Sequence, residues 1–144
     1  MKIGFGSDHA AIELKDALLA HLKEQGYECV DFGAYDPNVK TDYPVQGQKV
    51  AEAIVSGEID KGVLVCGTGI GISIAANKVK GVRCGLCTSV EMARLTKQHN
   101  NANVLALGGR TTPVDTALEI VDAWLEADFE GGRHQRRVDM LDSI

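Results

Sequence analysis

Five short apolar runs recur along the chain, and each is followed by a stretch whose apolar residues return every three or four positions. The first run, KIGFG, predicts a buried strand. The segment after it, AAIELKDALLAHLKEQG, sets Leu14, Leu18 and Leu22 on one helical face, with Gly26 as its stop. YECVDFG predicts a second strand. In YPVQGQKVAEAIVSG a proline stands near the start, Val50, Ala53 and Ile54 form an inner face and Gly57 ends the helix. KGVLVC has no polar alternation, which predicts a third strand covered on both faces, followed by a helix over Ser73 to Lys78. VRCGLC predicts a fourth strand; Thr88 and Glu91 then stand at capping-box spacing ahead of VEMARLTKQ. NVLALG predicts a fifth strand, and Thr112 followed by Pro113 opens a last long helix through Leu125. The tail, FEGGRHQRRVDMLDSI, is basic at its start and is expected to leave the domain.

Strands alternating with helices imply an α/β fold with a five-stranded parallel sheet, both faces covered, right-handed crossovers and the order 2-1-3-4-5. Ligands of such sheets bind outside the carboxyl ends of the strands where the winding reverses, here between the first and third strands. The loops at that point are GSDHAA and CGTGIGIS.

Composition narrows the classes. A chain of 144 residues is expected to be one domain, 1–144. With 44% hydrophobic and 24% charged residues and a formal net charge of −5 it reads as globular, and the acidic balance argues against nucleic acid as a partner. MKIGFGSDH lacks the apolar core of a signal peptide and no stretch approaches a membrane span, so a cytoplasmic location is expected. Cys29, Cys66, Cys84 and Cys87 are too few for a disulfide framework and are expected to remain thiols.

Gly67, Gly69 and Gly71 allow a tight turn that exposes successive N–H groups ahead of a helix, a design that stabilises negative charge. The pattern is not a dinucleotide fingerprint, because Cys87 stands where an acidic ribose ligand is expected, and no Gly-Lys-Ser/Thr follows for a phosphate loop of the Walker type. Cys66, at the mouth of this loop, is a candidate base or nucleophile, since amide N–H groups and a helix N-terminus favour a thiolate. Asp8 and His9 end the first strand beside it. Cys84 and Cys87 point to opposite faces of a strand and are assigned to packing, and no metal site is expected. His21 is assigned to surface or core.

The cluster KQHNNAN puts His99 and Asn100 at the end of the fourth helix, hence at the amino edge of the sheet, opposite Cys66. If both His99 and Cys66 act on one substrate, they must come from different subunits. Arg133 and Arg137 are four apart and share a face if the tail is helical, whereas Arg136 points elsewhere; two guanidiniums on one face suit a phosphate. Arg110, just past the fifth strand, is a further candidate.

GSDHAA, CGTGIGISIAANK, HNNAN, NVLALGGR and FEGGRHQRR, in this order, resemble the ribose-5-phosphate isomerase B family, which is related to the galactose-6-phosphate isomerase subunits. The resemblance runs from Ile3 to about Val138. It implies a Rossmann-like three-layer αβα sandwich whose C-terminal tail packs on a partner subunit. It also implies an aldose–ketose isomerase of the pentose phosphate pathway, free of metal and cofactor, working as a homodimer with composite sites and sometimes as a tetramer.

By the same resemblance Cys66 moves the proton between C2 and C1. The backbone of Gly67, Thr68, Gly69, Ile70 and Gly71, with the Thr68 side chain, holds the enediolate. His99 opens the furanose ring, Asn100 orients the substrate and Asp8 binds sugar hydroxyls, leaving the phosphate to His9, Arg110, Arg133 and Arg137. Two positions depart from the family pattern, Asn101 for Asp and Ala11 for Gly, and neither carries chemistry. Some members lack the cysteine and use a carboxylate as base, so the joint presence of Cys66, His99, Arg133 and Arg137 favours ribose 5-phosphate. The alternatives are a six-carbon sugar phosphate such as allose 6-phosphate or galactose 6-phosphate, a non-catalytic flavodoxin-like flavin- or nucleotide-binding module, and a sugar-phosphate sensor.

Overall fold

The computed structural model describes all 144 residues. In chain order the elements are β1 (Lys2–Ser7), α1 (Ile12–Glu24), β2 (Glu28–Asp31), α2 (Tyr43–Val55), β3 (Lys61–Cys66), α3 (Ile70–Asn77), β4 (Cys84–Leu86), α4 (Val90–Asn100), β5 (Val104–Gly108), α5 (Val114–Glu126) and α6 (Arg133–Asp142). No helix is long and apolar enough to cross a membrane.

The five strands are all parallel, as the alternating pattern requires, in the order β2-β1-β3-β5-β4. The expected 2-1-3-4-5 is therefore corrected at its last two positions. Burial explains the exchange. β5 is five residues long and buried throughout, which suits the interior of a sheet, whereas β4 is three residues long and only half-buried, as an edge strand can be. β3 joins β1 on one side and β5 on the other, so its run of buried residues lies at the centre.

Each face of the sheet carries its own core. On one side Ile3 and Phe5 of β1 pack with Leu14, Leu18 and Leu22 of α1 and with Ile120, Val121 and Trp124 of α5. On the other, Val50, Ala51 and Ala53 of α2 meet Ile72 and Ala76 of α3 over Leu64, Val104 and Ala106. Full burial of each such aliphatic side chain contributes on the order of 1.5–3 kcal/mol. Trp124 is wholly buried and its Nε1–H donates to the carbonyl of Ala102 at 3.1 Å, tying α5 to the turn that follows α4.

Three local expectations change. α3 begins at Ile70, three residues before Ser73, because the left-handed Gly69 (φ 79°) turns the chain straight into the helix. The N-cap of α4 is Ser89, whose Oγ accepts the Met92 N–H at 3.1 Å; the Thr88 hydroxyl points to the Met92 sulfur instead. The tail does not leave the domain. It folds as α6 and packs on α4 of its own chain through the buried His134 and Val138, with Arg83 Nη1 donating to the Asp142 carboxylate at 2.8 Å. Its partner is thus, first, its own α4.

Candidate active site

The carboxyl end of β3 holds the first half of the candidate residues. The loop after Cys66 is pinned to the end of β5 by two backbone bonds, Gly109 N–H to the Cys66 carbonyl at 2.8 Å and Arg110 N–H to the Gly67 carbonyl at 2.9 Å. The two backbones lie so close that a Cβ on Gly108 would meet the Thr68 backbone at 2.7 Å, and one on Gly69 would meet the Leu107 carbonyl carbon at 2.8 Å. Only glycine fits either place.

Within that loop the Gly69 N–H donates to Cys66 Sγ at 3.2 Å. The Ile70 N–H is taken by the Thr68 hydroxyl at 3.2 Å. The N–H groups of Gly67, Thr68 and Gly71 have no acceptor in the chain, so the loop that follows the sulfur carries three amides with their hydrogen-bonding capacity unused. Cys66 is 4% exposed, and the field of these amides and of the α3 N-terminus is correspondingly unscreened.

The other cysteines are different. The Cys29 thiol donates to the Tyr27 carbonyl at 3.6 Å and is raised by burial. Burial also raises Cys84, with Cys87 adding to it, and pushes Cys87 up to about 11. All three are held as neutral thiols, in keeping with the packing role expected for Cys84 and Cys87.

Around the loop stand the remaining residues of this half. Asp8 folds its carboxylate back on the Ala10 N–H at 3.1 Å, and its own N–H donates to the Val65 carbonyl at 3.3 Å. Nδ1 of His9 lies 3.1 Å from both the backbone nitrogen and the carbonyl oxygen of Thr41, which fixes the ring at the crevice rim. The Arg110 guanidinium lies across Gly67, within 4 Å of where a Cβ would be. Tyr43, at the start of α2, covers Gly71 with its ring and remains 43% exposed. Tyr43 has no partner in the sequence pattern that would have singled it out; only the packing on Gly71 does.

The second half is elsewhere. Gly62 N–H donates to the Asn103 carbonyl while Cys66 pairs with Gly108, so five residues of strand, about 17 Å, separate the sulfur from the turn that ends α4. His99 and Asn100 stand at that turn, which the left-handed Asn101 (φ 46°) closes. Arg83 holds it by donating to the carbonyls of Asn100 and Asn101 at 3.1 Å. Arg133 and Arg137 project from α6 on the same side, both exposed. The structure therefore brings Asp8, His9, Cys66, Thr68, Gly67 to Gly71 and Arg110 together at one end of the sheet, and His99, Asn100, Arg133 and Arg137 at the other. A cavity of about 650 Å³ lies at this amino edge beside Asn100 and Arg83 and does not include Cys66.

Two residues of the second half escaped the sequence reading. The ring of His134 stacks on that of His99, centroids 4.3 Å apart and planes 11° apart. Glu130 Oε1 stands 3.6 Å from Nε2 of His99 and 3.4 Å from Nε2 of His134. The four-residue spacing of Glu130 and His134 was visible, but only in a tail expected to leave the domain. These three are the one group whose donor atoms all lie within 4.8 Å. Near-parallel ring planes do not meet, so the two in-plane nitrogen lone pairs do not converge on a shared ion as the rings stand.

Residues 3–141 match the family model described as Ribose/Galactose Isomerase. The chain is 50% identical to the ribose-5-phosphate isomerase B of Escherichia coli K12, over 99% of this chain and 95% of that protein. Its fold matches the ribose-5-phosphate isomerase B of Clostridium thermocellum with a TM-score of 0.97 and 54% identity, covering 99% of this chain and 96% of that one. It also matches that of Mycoplasma genitalium with bound ribulose 5-phosphate, at a TM-score of 0.93 and 43% identity over 99% and 94% of the two chains.

Proposed function

The chain belongs to the ribose/galactose isomerase family, and on that premise we propose that it interconverts ribose 5-phosphate and ribulose 5-phosphate through an enediolate, as one 144-residue domain. The observation that carries the chemistry is the Gly69 N–H directed at Cys66 Sγ inside a loop of unpartnered amides. A thiolate there removes the C2 proton of the open-chain aldose. The charge that passes to the substrate oxygens meets the N–H groups of Gly67, Thr68 and Gly71, donors fixed in place before the reaction; the hydroxyl proton moves from O2 to O1 within the enediolate, and the proton taken by the sulfur returns at C1. Asp8 binds sugar hydroxyls beside it.

The ring-closed substrate must first open, and His99 protonates the ring oxygen as the C1–O bond breaks and the anomeric hydroxyl releases its proton to form the aldehyde. Because about 17 Å of strand separates His99 from Cys66 in one chain, the working unit is a homodimer in which His99 and Asn100 of one subunit meet Cys66 of the other. Arg133 and Arg137 arrive with them and bind the phosphate together with His9 and Arg110, as guanidiniums suit a phosphate. Exposed apolar side chains on two helices are compatible with such an assembly: Ile70 and Ile74 of α3 and Met92 and Leu95 of α4 are each more than a third exposed.

The test is an isomerase assay on ribose 5-phosphate, allose 6-phosphate and galactose 6-phosphate, each with and without chelator. Turnover of ribose 5-phosphate, unchanged by chelator, is expected. Absence of turnover on all three would overturn the reading, and preference for a six-carbon substrate would transfer it to that sugar.

A further inference from the structure

Beside the ring-opening histidine stands a second one that no step above uses. His134 is buried to within 8% of its side chain and lies flat against His99, which is 38% exposed, and a single carboxylate, Glu130, faces Nε2 of both rings. Two imidazolium ions at 4.3 Å would repel strongly, whereas one imidazolium, one neutral ring and one carboxylate balance. Burial decides which ring stays neutral. His134 lies inside the contact between α6 and α4, where a charge is desolvated, and its neighbours add to the effect: its affinity for a proton is lowered first by burial, then by His99 and by Arg133 and Arg137 of its own helix, with Glu130 alone opposing. The more exposed ring, His99, is the one that solvent reaches.

We propose that His134 and Glu130 are positioning residues for ring opening, the buried ring fixing the plane of His99 by stacking and the carboxylate, facing its Nε2, setting the orientation of the ring in that plane. The inference rests on the isomerase reading for its consequence but not for its geometry. His99 delivers a proton to the ring oxygen as the C1–O bond breaks, the anomeric hydroxyl releases its own proton to solvent as the carbonyl forms, and His99 recovers a proton from solvent. The arrangement matters only for a ring-closed substrate. Ribulose 5-phosphate, whose C5 oxygen is esterified, is open-chain and needs no ring-opening acid in its own deprotonation.

Three variants separate the parts. Glu130→Gln should move the high-pH limb of turnover of ribose 5-phosphate to lower pH by about half a unit, the size expected for a half-exposed ion pair, and leave the profile with ribulose 5-phosphate in place. His134→Ala should lower kcat on ribose 5-phosphate about tenfold with KM little changed, and His134→Phe, which restores a flat ring without a titratable nitrogen, should recover most of it. Should the His134 variants fail to fold by circular dichroism, the exposed Glu130→Gln change carries the test. An unmoved limb in Glu130→Gln, or equal losses with both substrates, would overturn the proposal while leaving the isomerase reading intact. If the wild-type protein turns over neither substrate, the isomerase reading fails, and the proton NMR titration of the His99 ring in wild type and Glu130→Gln decides the geometry by itself: coincident curves overturn it, and displaced ones support it.

Discussion

The backbone N–H of Gly69 reaches back across two residues to Sγ of Cys66 at 3.2 Å, which makes this sulfur an acceptor, whereas that of Cys29 is a donor to carbonyl oxygens. The contact requires the left-handed backbone of Gly69, φ 79°, and the absence of a Cβ there. Gly69→Ala would set a methyl group 2.7 Å from Leu86 Cδ1 and 2.8 Å from the Leu107 backbone. The substitution should lower stability by about 2–3 kcal/mol and turnover by about a hundredfold, read from urea midpoints and kcat. A variant of wild-type stability and rate would show that the loop tolerates another path.

Removing the sulfur separates chemistry from binding. Cys66→Ala should reduce isomerisation by about a thousandfold or more, because no other group stands among the loop amides to take the C2 proton. Its affinity for an inert phosphate ester of a sugar alcohol, measured by calorimetry, should stay within about threefold of wild type. Full turnover by this variant would remove Cys66 from the role of base.

A site shared between subunits has a signature that no single-chain site can imitate. Cys66→Ala and His99→Ala proteins should each be inactive on ribose 5-phosphate, while mixed dimers, after verified subunit exchange, should regain one good site of two. Statistical mixing puts half of the dimers in the mixed form, hence about a quarter of wild-type activity. No recovery despite exchange would count against the composite site.

Lys61, at the amino end of β3, gives a pH prediction on stability. Burial lowers its side chain from the usual 10.5 to about 8, Lys97 and Arg83 push the same way and Asp60 opposes them. Between those two values the unfolded chain keeps a proton that the folded chain has released, so this group's contribution to stability rises as pH rises through the window, and below pH 8 the folded state carries a desolvated ammonium. Lys61→Met should therefore stabilise the protein at pH 7 by on the order of 1 kcal/mol, after allowance for partial exposure, with the gain shrinking toward zero by about pH 10.5. Chemical denaturation at the two pH values checks it; a gain that does not depend on pH would point to packing rather than charge.

How much of this was legible beforehand differs by scale. The strand–helix alternation and the switch-point loops were readable because apolar runs and glycine stops are local signals, and Cys66 stood out by its position in the pattern. The order of β4 and β5 was not readable from chain order. Relative burial settles it, and the contrast between the wholly apolar VLALG and VRCGLC, which carries an arginine, was the available hint. The burial of His134 depends on α6 folding back onto α4, a tertiary contact that a polar, arginine-rich segment does not announce. The opposition of His99 and Cys66, by contrast, followed from topology alone, since it needs only the end of a helix and the end of a parallel strand.

The exchange of β4 and β5 also bears on solubility. The open edges of the sheet are β2 and β4, four and three residues long, and β2 carries Glu28 and Asp31. Such short edges, one of them charged, offer little backbone for a foreign strand to pair with. In the order 2-1-3-4-5, the unbroken apolar run Val104–Gly108 would have been the outer strand, an inviting template for amyloid-like growth. Flanked by β3 along its length and by β4 over Val104–Ala106, that apolar run lies inside the sheet, where a neighbouring molecule cannot pair with it without first displacing a strand.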